Sequence, residues 1–382
     1  MSVPNTIVTV GTALIGNLKK DNKYKDYVEN ESKINSLLRS KEKFNILISQ
    51  LQGITPSEKL LGPEINSTYS LLKKGRIVPD NLFLVVSDTL QGEFEGRILK
   101  KYFESDGEYK FNKVEIYKIE GLQSKDEHKF RNIGLRNLVK EMGRIIREYR
   151  GVTSMQAENT IVINATGGYK AEIAFATVIG QSYGIPVHYQ FEDFSSIIEL
   201  PPQPISNDFE FWIESFPLLQ KLNKTLDKKE YDEYRKIYKT KLDSLVDCIT
   251  ERGKGICSLS PMGELFYDTC EYWWNEQKLK LPEAVEKTGR GVVCDDPTAK
   301  QVRGAENFAK KVYEDIDYII QISSIYANKD LPKVNRFFIS GNDINLDYSD
   351  GTGLARFIVK TSAKNKQEME AAVYDLNKKF LP

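Results

Sequence analysis

The side chains best suited to chemistry lie in the turn Asn164-Ala165-Thr166-Gly167-Gly168-Tyr169-Lys170. Adjacent glycines let the backbone approach a bound group with no Cβ in the way. If a helix starts behind them, its first turn offers N–H groups and a positive dipole end, which favour an anion. Lys170 adds a mobile positive charge, Thr166 a hydroxyl, and Asn164 an amide able to read a base or sugar edge. A second turn of the same chemical type, Gly11-Thr12-Ala13-Leu14-Ile15-Gly16-Asn17, lies near the N-terminus. The pair points to a phosphate-bearing ligand. A tightly packed βα turn that binds nothing is the alternative reading of the same glycines.

The surrounding pattern supplies the elements that position these turns. Ile161-Val162-Ile163 is a short β-branched run suited to a strand buried on both faces. Ala171 to Ile179 is rich in helix formers and small apolar residues and ends at Gly180 and Gly184. Pro186 to Phe191 reads as the next strand, which completes a βαβ unit. Upstream, Ile7-Val8-Thr9-Val10 is a strand that leads into the first turn. Asp21 to Leu51 carries apolar residues at helical spacing (Tyr27, Ile34, Leu37, Leu38, Phe44, Ile48). Leu82–Thr89 and Val114–Ile119 are further strands. Phe130 to Arg150 is a helix bearing Arg131, Arg136, Lys140, Arg144 and Arg147, read as a solvated basic face. Alternating strands and helices predict a doubly wound α/β domain over residues 1–205, with ligands beyond the carboxyl ends of its strands.

Composition bounds the function. A chain of 382 residues is too long for one typical domain. Its 54 basic and 54 acidic side chains balance, so any nucleic-acid contact is a local patch. Four cysteines (Cys248, Cys257, Cys270, Cys294) without a CxxC pair, and only two histidines, argue against zinc and a histidine-centred active site. The cysteines fit reduced thiols in a cytoplasm. The N-terminal apolar stretch lacks the basic flank of a signal peptide, and no run is long enough to span a bilayer.

The motifs VGTALIGN (Val10 to Asn17) and NATGGYK (Asn164 to Lys170), followed by GIPVHYQFED and the closing LPPQPI (Leu200 to Ile205), resemble the CARF domain of CRISPR-associated ancillary proteins. The resemblance covers the first half of the chain. It implies a Rossmann-like domain that forms a homodimer and binds a cyclic oligoadenylate, most commonly cyclic tetra-adenylate, across the two-fold axis as an allosteric activator. By that resemblance Gly11, Thr12, Ala13 and Asn17 lie at the pocket floor, and Asn164, Thr166, Gly167, Gly168, Tyr169 and Lys170 hold phosphates and adenines. Ala13 stands where related sequences often carry serine. Some CARF domains also cleave their ligand through its own 2′-hydroxyl; the motifs leave that ring-nuclease activity open here.

After Ile205 the pattern changes. Asp208 to Leu222 reads as an apolar helix, Lys228 to Tyr238 as a charged one, and Leu242 to Ile249 as a helix that breaks at Arg252-Gly253-Lys254-Gly255. Ser260-Pro261 with Glu264 marks a further helix start. Residues 206–282 look like a winged helix-turn-helix module, which resemblance to CARF proteins assigns to spacing and dimerisation and which alone would suggest DNA binding. Without a dense basic cluster, the spacer reading is preferred.

Residues 283–382 are the expected effector, an α+β domain. Lys300 to Ile322 reads as one or two helices. Asn335–Ser340, Ile344–Tyr348 and Leu354–Thr361 are strands, and Lys366 to Phe380 a closing helix. Arg356 and Lys360 share one face of the third strand. No carboxylate pair precedes Lys360, and neither histidine lies in this half, so metal-dependent and histidine-based nucleases fit poorly. What remains is metal-independent RNA cleavage, in which cations stabilise the phosphorane and the RNA 2′-hydroxyl attacks. The layout is similar to RelE-type toxins, which cut messenger RNA on the ribosome. The candidate catalytic residues are Arg336, Arg356, Lys360, Lys364 and Tyr374, with no metal or other catalytic cofactor; a solvated sheet face is the alternative for the four cations. The expected protein is thus a cytoplasmic, dimeric, ligand-activated endoribonuclease. A metal-dependent nuclease and a ligand-responsive DNA-binding regulator are its rivals.

Overall fold

The computed structural model describes residues 2–105, 109–123, 125–150, 160–191, 196–204, 206–251, 253–287 and 289–381. Glu192, Asp193, Ile205 and Arg252, quoted in the motifs above, lie outside them. The chain divides into two compact units, Met1–Ile205 and Ser206–Pro382.

In the first unit, β1 (Val3–Thr9) leads through α1 (Ala13–Lys20), α2 (Lys25–Val28), α3 (Glu31–Arg39), α4 (Lys41–Gln52) and α5 (Gly62–Lys73) to β2 (Ile77–Ser87). Then α6 (Leu90–Ser105) precedes β3 (Lys113–Ile119). A π-turn, Phe130–Gly134, joins the short α7 (Glu127–Lys129) to α8 (Leu135–Tyr149), ahead of β4 (Ile161–Asn164). Finally α9 (Lys170–Tyr183) is followed by β5 (Val187–Tyr189) and β6 (Ile198–Leu200). The sheet order is β3-β2-β1-β4-β5-β6, parallel except for β6. This doubly wound α/β arrangement is compatible with a Rossmann-like fold.

β2 shows why the sequence folds this way. Leu82, Leu84 and Val86 join Phe94 and Ile98 of α6 in one apolar layer. Phe83 points to the other face, its ring 4.4 Å from Tyr149 of α8. A strand buried on both sides must be apolar without alternation, and β4 is buried at all its positions. The sheet grows outward in both directions from β1 and β4, so the crevice between their carboxyl ends is the switch point where such sheets bind ligands.

The second unit opens with α10 (Phe209–Lys224), β7 (Leu226–Asp227), α11 (Lys228–Tyr238), β8 (Val246–Glu251), β9 (Lys254–Leu259) and α12 (Pro261–Gln277). It continues with β10 (Val292–Val293), α13 (Ala305–Asp315), β11 (Ile319–Asn328), β12 (Arg336–Ser340), β13 (Asp343–Ser349), β14 (Leu354–Thr361) and α14 (Lys366–Phe380). Two sheets form, ordered β7-β9-β8 and β10-β11-β14-β13-β12. Ser260 caps α12, its hydroxyl accepting from the Gly263 N–H at 3.0 Å.

Three expectations are corrected here. The helix over 242–249 is instead a 3-10 turn, Lys239–Leu242, followed by β8; Val246, Ile249 and Thr250 are β-branched and stiff, and Gly253 at φ 80° closes a hairpin. The helical reading of 300–322 fails beyond Asp315, where the isoleucine-rich β11 begins. Cys248 and Cys257, directly opposite on β8 and β9, form a disulfide rather than free thiols; only Cys270 and Cys294 are free. The spacing of nine residues hid a pairing that the hairpin creates.

Residues 206–282 and 283–382 contribute to a common buried apolar layer. Trp212, Phe216, Trp274, Phe337 and Tyr374 belong to one buried cluster. Asn377 of α14, fully buried, donates to the carbonyls of Ile213 (3.1 Å) and Phe337 (3.0 Å) and accepts from the Phe337 N–H (2.8 Å). It binds α14 to both α10 and β12. Replacing Asn377 by Ala strands these buried partners and is expected to cost about 2–4 kcal/mol, since each unsatisfied group loses about 1–3 kcal/mol. All three tryptophans lie in this unit, so urea unfolding followed by their fluorescence reads it alone. A single transition, shifted to lower urea in Asn377→Ala, is expected; two fluorescence transitions would mean independent cores.

Candidate functional site

The first turn follows β1 and the second follows β4, and the two pack against each other. The Thr9 hydroxyl donates to the Gly167 carbonyl at 2.5 Å. A Cβ on Gly11 would stand 2.8 Å from the Gly168 nitrogen. Between the turns sits a side chain that sequence reasoning did not pick, Glu64 of α5. Its Oε1 accepts from the Gly11 N–H at 2.7 Å. A Cβ on Gly167 would lie 2.0 Å from that same oxygen. The group that the glycines admit to close quarters here is the protein's own Glu64 carboxyl.

The same holds at the start of α9. The Tyr169 N–H donates to Glu172 Oε2 at 3.2 Å, so the helix end meets an internal carboxylate. Glu95 of α6 repeats the pattern, accepting from the Ile15 N–H at 2.8 Å. All three glutamates are about 1% exposed. Burial pushes each carboxyl above its ordinary range, Glu172 up to about 8, and the Glu64 charge acts further on Glu95 and Glu172.

Asn164 is likewise internal. Its amide donates to the Ser67 and Thr68 hydroxyls of α5 at 2.8 and 3.2 Å and accepts from Thr166 at 2.7 Å. Thr166 also accepts from the Gln190 N–H at 3.2 Å, which pins the turn to the end of β5. Thr12 and Lys170 are exposed. The Tyr169 ring meets Phe130 edge-on at 5.6 Å.

A cavity of about 300 Å³ opens beside these turns. From α1 it takes Ala13, Asn17 and Lys20; from the turn before α5 and its first residues, Lys59, Pro63 and Asn66. Thr166, Gln190 and Phe191 close it. Ala13, Asn17 and Thr166 are thus the expected site residues that line it, whereas Gly11, Thr12, Asn164, Gly167, Gly168, Tyr169 and Lys170 stand outside that lining. Lys20, Lys59, Asn66, Gln190 and Phe191 were missed. Lys20 was legible, since Ala13, Asn17 and Lys20 follow the i, i+4, i+7 spacing of one helix face. Lys59 and Asn66 gave no local signal, because α5 reaches the pocket through the tertiary fold. The Asn17 amide holds that segment by donating to the Lys59 carbonyl at 2.8 Å. Amides, a hydroxyl, two ammonium groups and one aromatic ring suit a phosphate-bearing, base-bearing ligand.

Of the five candidate catalytic residues of the second unit, Arg336 and Arg356 are brought together, on Asp347, and Lys364 and Tyr374 have other partners. Arg356 makes a two-pronged contact with Asp347, at 2.6 and 2.9 Å. Arg336 shares the same carboxylate at 3.1 Å and also pairs with Glu214 of α10. Asp347 is 1% exposed and Arg336 6%, so Arg336 is walled off from an RNA phosphate. Lys364 pairs with Glu283 at 2.7 Å. Tyr374 stacks on Trp212 with ring centres 5.1 Å apart, and burial pushes its hydroxyl pKa up to about 12. Lys360 is exposed and shares a strand face with Arg356, as expected. The cations expected to stabilise a phosphorane are largely balanced by acidic partners that sequence spacing did not reveal.

The first unit is, by its sheet, an α/β unit with a cavity beside the turns that follow β1 and β4. A family model described as CRISPR-associated protein (Cas_APE2256) matches residues 59–203, a span that holds the cavity residues from Lys59 to Phe191 and supports a CRISPR-associated protein. Among the described residues no cluster of ligating side chains could hold a metal, and no helix is long and apolar enough to cross a membrane.

Two outcomes follow from the glycine–glutamate packing. Gly167→Ala forces a methyl group into the Glu64 carboxylate and is expected to lower the stability of the first unit by about 1–3 kcal/mol or more. Gly16→Ala, with nothing within 4 Å of the new methyl, is expected to be neutral or stabilising by up to about 1 kcal/mol; thermal melts of the two variants check the contrast. The pH effect has a definite sign. The folded state holds the Glu172 proton up to about pH 8, whereas the unfolded chain releases it near 4.5. Its contribution to stability is complete below pH 4.5 and is lost as pH rises through 8. Glu172→Gln is expected to flatten the fall in stability between pH 5 and 8, read by urea unfolding across that range.

Proposed function

We propose that the first unit is a sensor for a cyclic oligoadenylate, bound in the Lys20–Lys59 cavity, and that occupancy in a homodimer regulates the second unit. The observation that carries this reading is a polar, dibasic cavity of about 300 Å³ at the carboxyl ends of β1 and β4, whose lining from Lys59 to Phe191 falls in the span matched by a CRISPR-associated family while Ala13, Asn17 and Lys20 precede it. Adenine rings find Phe191 and the Asn17, Asn66 and Gln190 amides; phosphates find the two lysines. A ring of repeated nucleotides suits a pair of such cavities related by two-fold symmetry.

The output under this reading is metal-independent RNA cleavage by the second unit, on free or ribosome-bound messenger RNA. Its chemistry would rest on groups other than the Asp347-bound arginines, and Lys360 is the member of the expected set that remains presented on an open strand face. Calorimetric titration with cyclic tetra- and hexa-adenylate tests the sensor. Binding is expected, with Lys20→Ala and Lys59→Ala each weakening it tenfold or more and raised salt weakening the wild type. Absence of heat with every ring would overturn the sensor. RNA cleavage in EDTA, with and without ring and ribosomes, tests the output; strict magnesium dependence would overturn the metal-independent assignment alone.

A further inference from the structure

Glu64 does more than fill space. Neighbours on the same helix, Pro63 and Asn66, line one wall of the cavity. Gly11 and Gly167, which flank Glu64, lie two residues before Ala13 and one after Thr166 on the facing walls. The carboxylate accepts the Gly11 N–H at 2.7 Å and occupies space that a methyl on Gly167 would need. It also meets Gly62, whose Cβ would stand 3.4 Å from Oε2. Three backbone segments, after β1, at the first residue of α5 and after β4, therefore converge on one side chain. A carboxyl buried so completely is costly in its charged form unless it is hydrogen-bonded or neutralised.

We propose that Glu64 is the positioning residue of the cavity: its carboxyl group clasps the turn after β1 and the turn after β4 to the start of α5 and so sets the distance between the walls that grip a phosphate-bearing ligand. The inference rests on the sensor reading for its ligand but not for its geometry. It assigns the glycine notch to an internal carboxyl that stays in place when ligand binds, rather than to one that a phosphate must expel. Burial holds the Glu64 carboxyl above its ordinary range, so a neutral amide of the same shape is a close mimic.

The test compares Glu64→Gln and Glu64→Ala in the full-length protein, with cyclic tetra-adenylate as the probe. Glu64→Gln keeps an acceptor oxygen opposite the Gly11 N–H and is expected to bind within threefold of wild type. Glu64→Ala is expected to bind at least tenfold more weakly and, without ligand, to exchange the Gly11 amide hydrogen at least tenfold faster, with Glu64→Gln restoring slow exchange. Equal or tighter binding by Glu64→Ala would overturn the proposal, because it would mark Glu64 as an occupant that ligand displaces. If wild type binds no ring, the sensor reading fails, and ligand-free exchange alone decides: an unchanged Gly11 rate in Glu64→Ala overturns the clasp, and a rate restored by Gln upholds it. Should Glu64→Ala not fold, binding by Glu64→Gln more than tenfold weaker than wild type overturns the proposal, and near wild-type binding upholds it.

Discussion

One buried carboxylate organises the first unit. Glu64 lies where three glycine-bearing segments meet, and the absence of a Cβ at Gly11 and Gly167 is what makes room for it. Removing a carboxyl from water is unfavourable unless it is hydrogen-bonded or neutralised. Here a backbone N–H supplies the bond and burial favours the protonated form. Glu95 and Glu172 repeat the device at the adjacent turns. The backbone around the cavity is thus fixed from within by acids, while its mouth presents ammonium groups, amides and a ring.

The second unit uses charge in the opposite sense. Arg336 and Arg356 converge on Asp347, and Glu214 ties the group to α10. Taking a single member out of such a buried group would leave an uncompensated charge. Basic residues on a strand face therefore mark an internal joint here. Together with Asn377 and the Trp212–Trp274–Tyr374 stack, the joint makes one body of a segment whose sequence reads as two.

Much of the fold was legible because its signals are local. The central β4 and the second half of β2 are continuous apolar runs, and the glycine turns after β1 and β4 mark the switch point. In the second unit, β12, β13, β14 and α14 follow from alternation, turn residues and helical spacing. The errors share a cause. β8 and β11 are β-branched segments beside helices, where short apolar runs fit either period. The Cys248–Cys257 pair, the partners of both arginines and the role of Glu64 all depend on contacts between residues far apart in sequence or folded back across a hairpin. The candidate site was half legible for the same reason. Spacing exposed the turns but not which of their groups face inward; the buried Asn164 amide, for one, bonds the Ser67 and Thr68 hydroxyls of α5.

The central claim is that a nucleotide ring lodges between α1, the start of α5 and the end of β5. Photo-cross-linking with an 8-azidoadenine form of cyclic tetra-adenylate, followed by sequencing of the labelled peptides, tests it most directly. Labels within 13–20, 59–66 or 187–191, competed away by unmodified ring, are the predicted result. Competable labels confined to 336–364, with none around the cavity, would contradict the account.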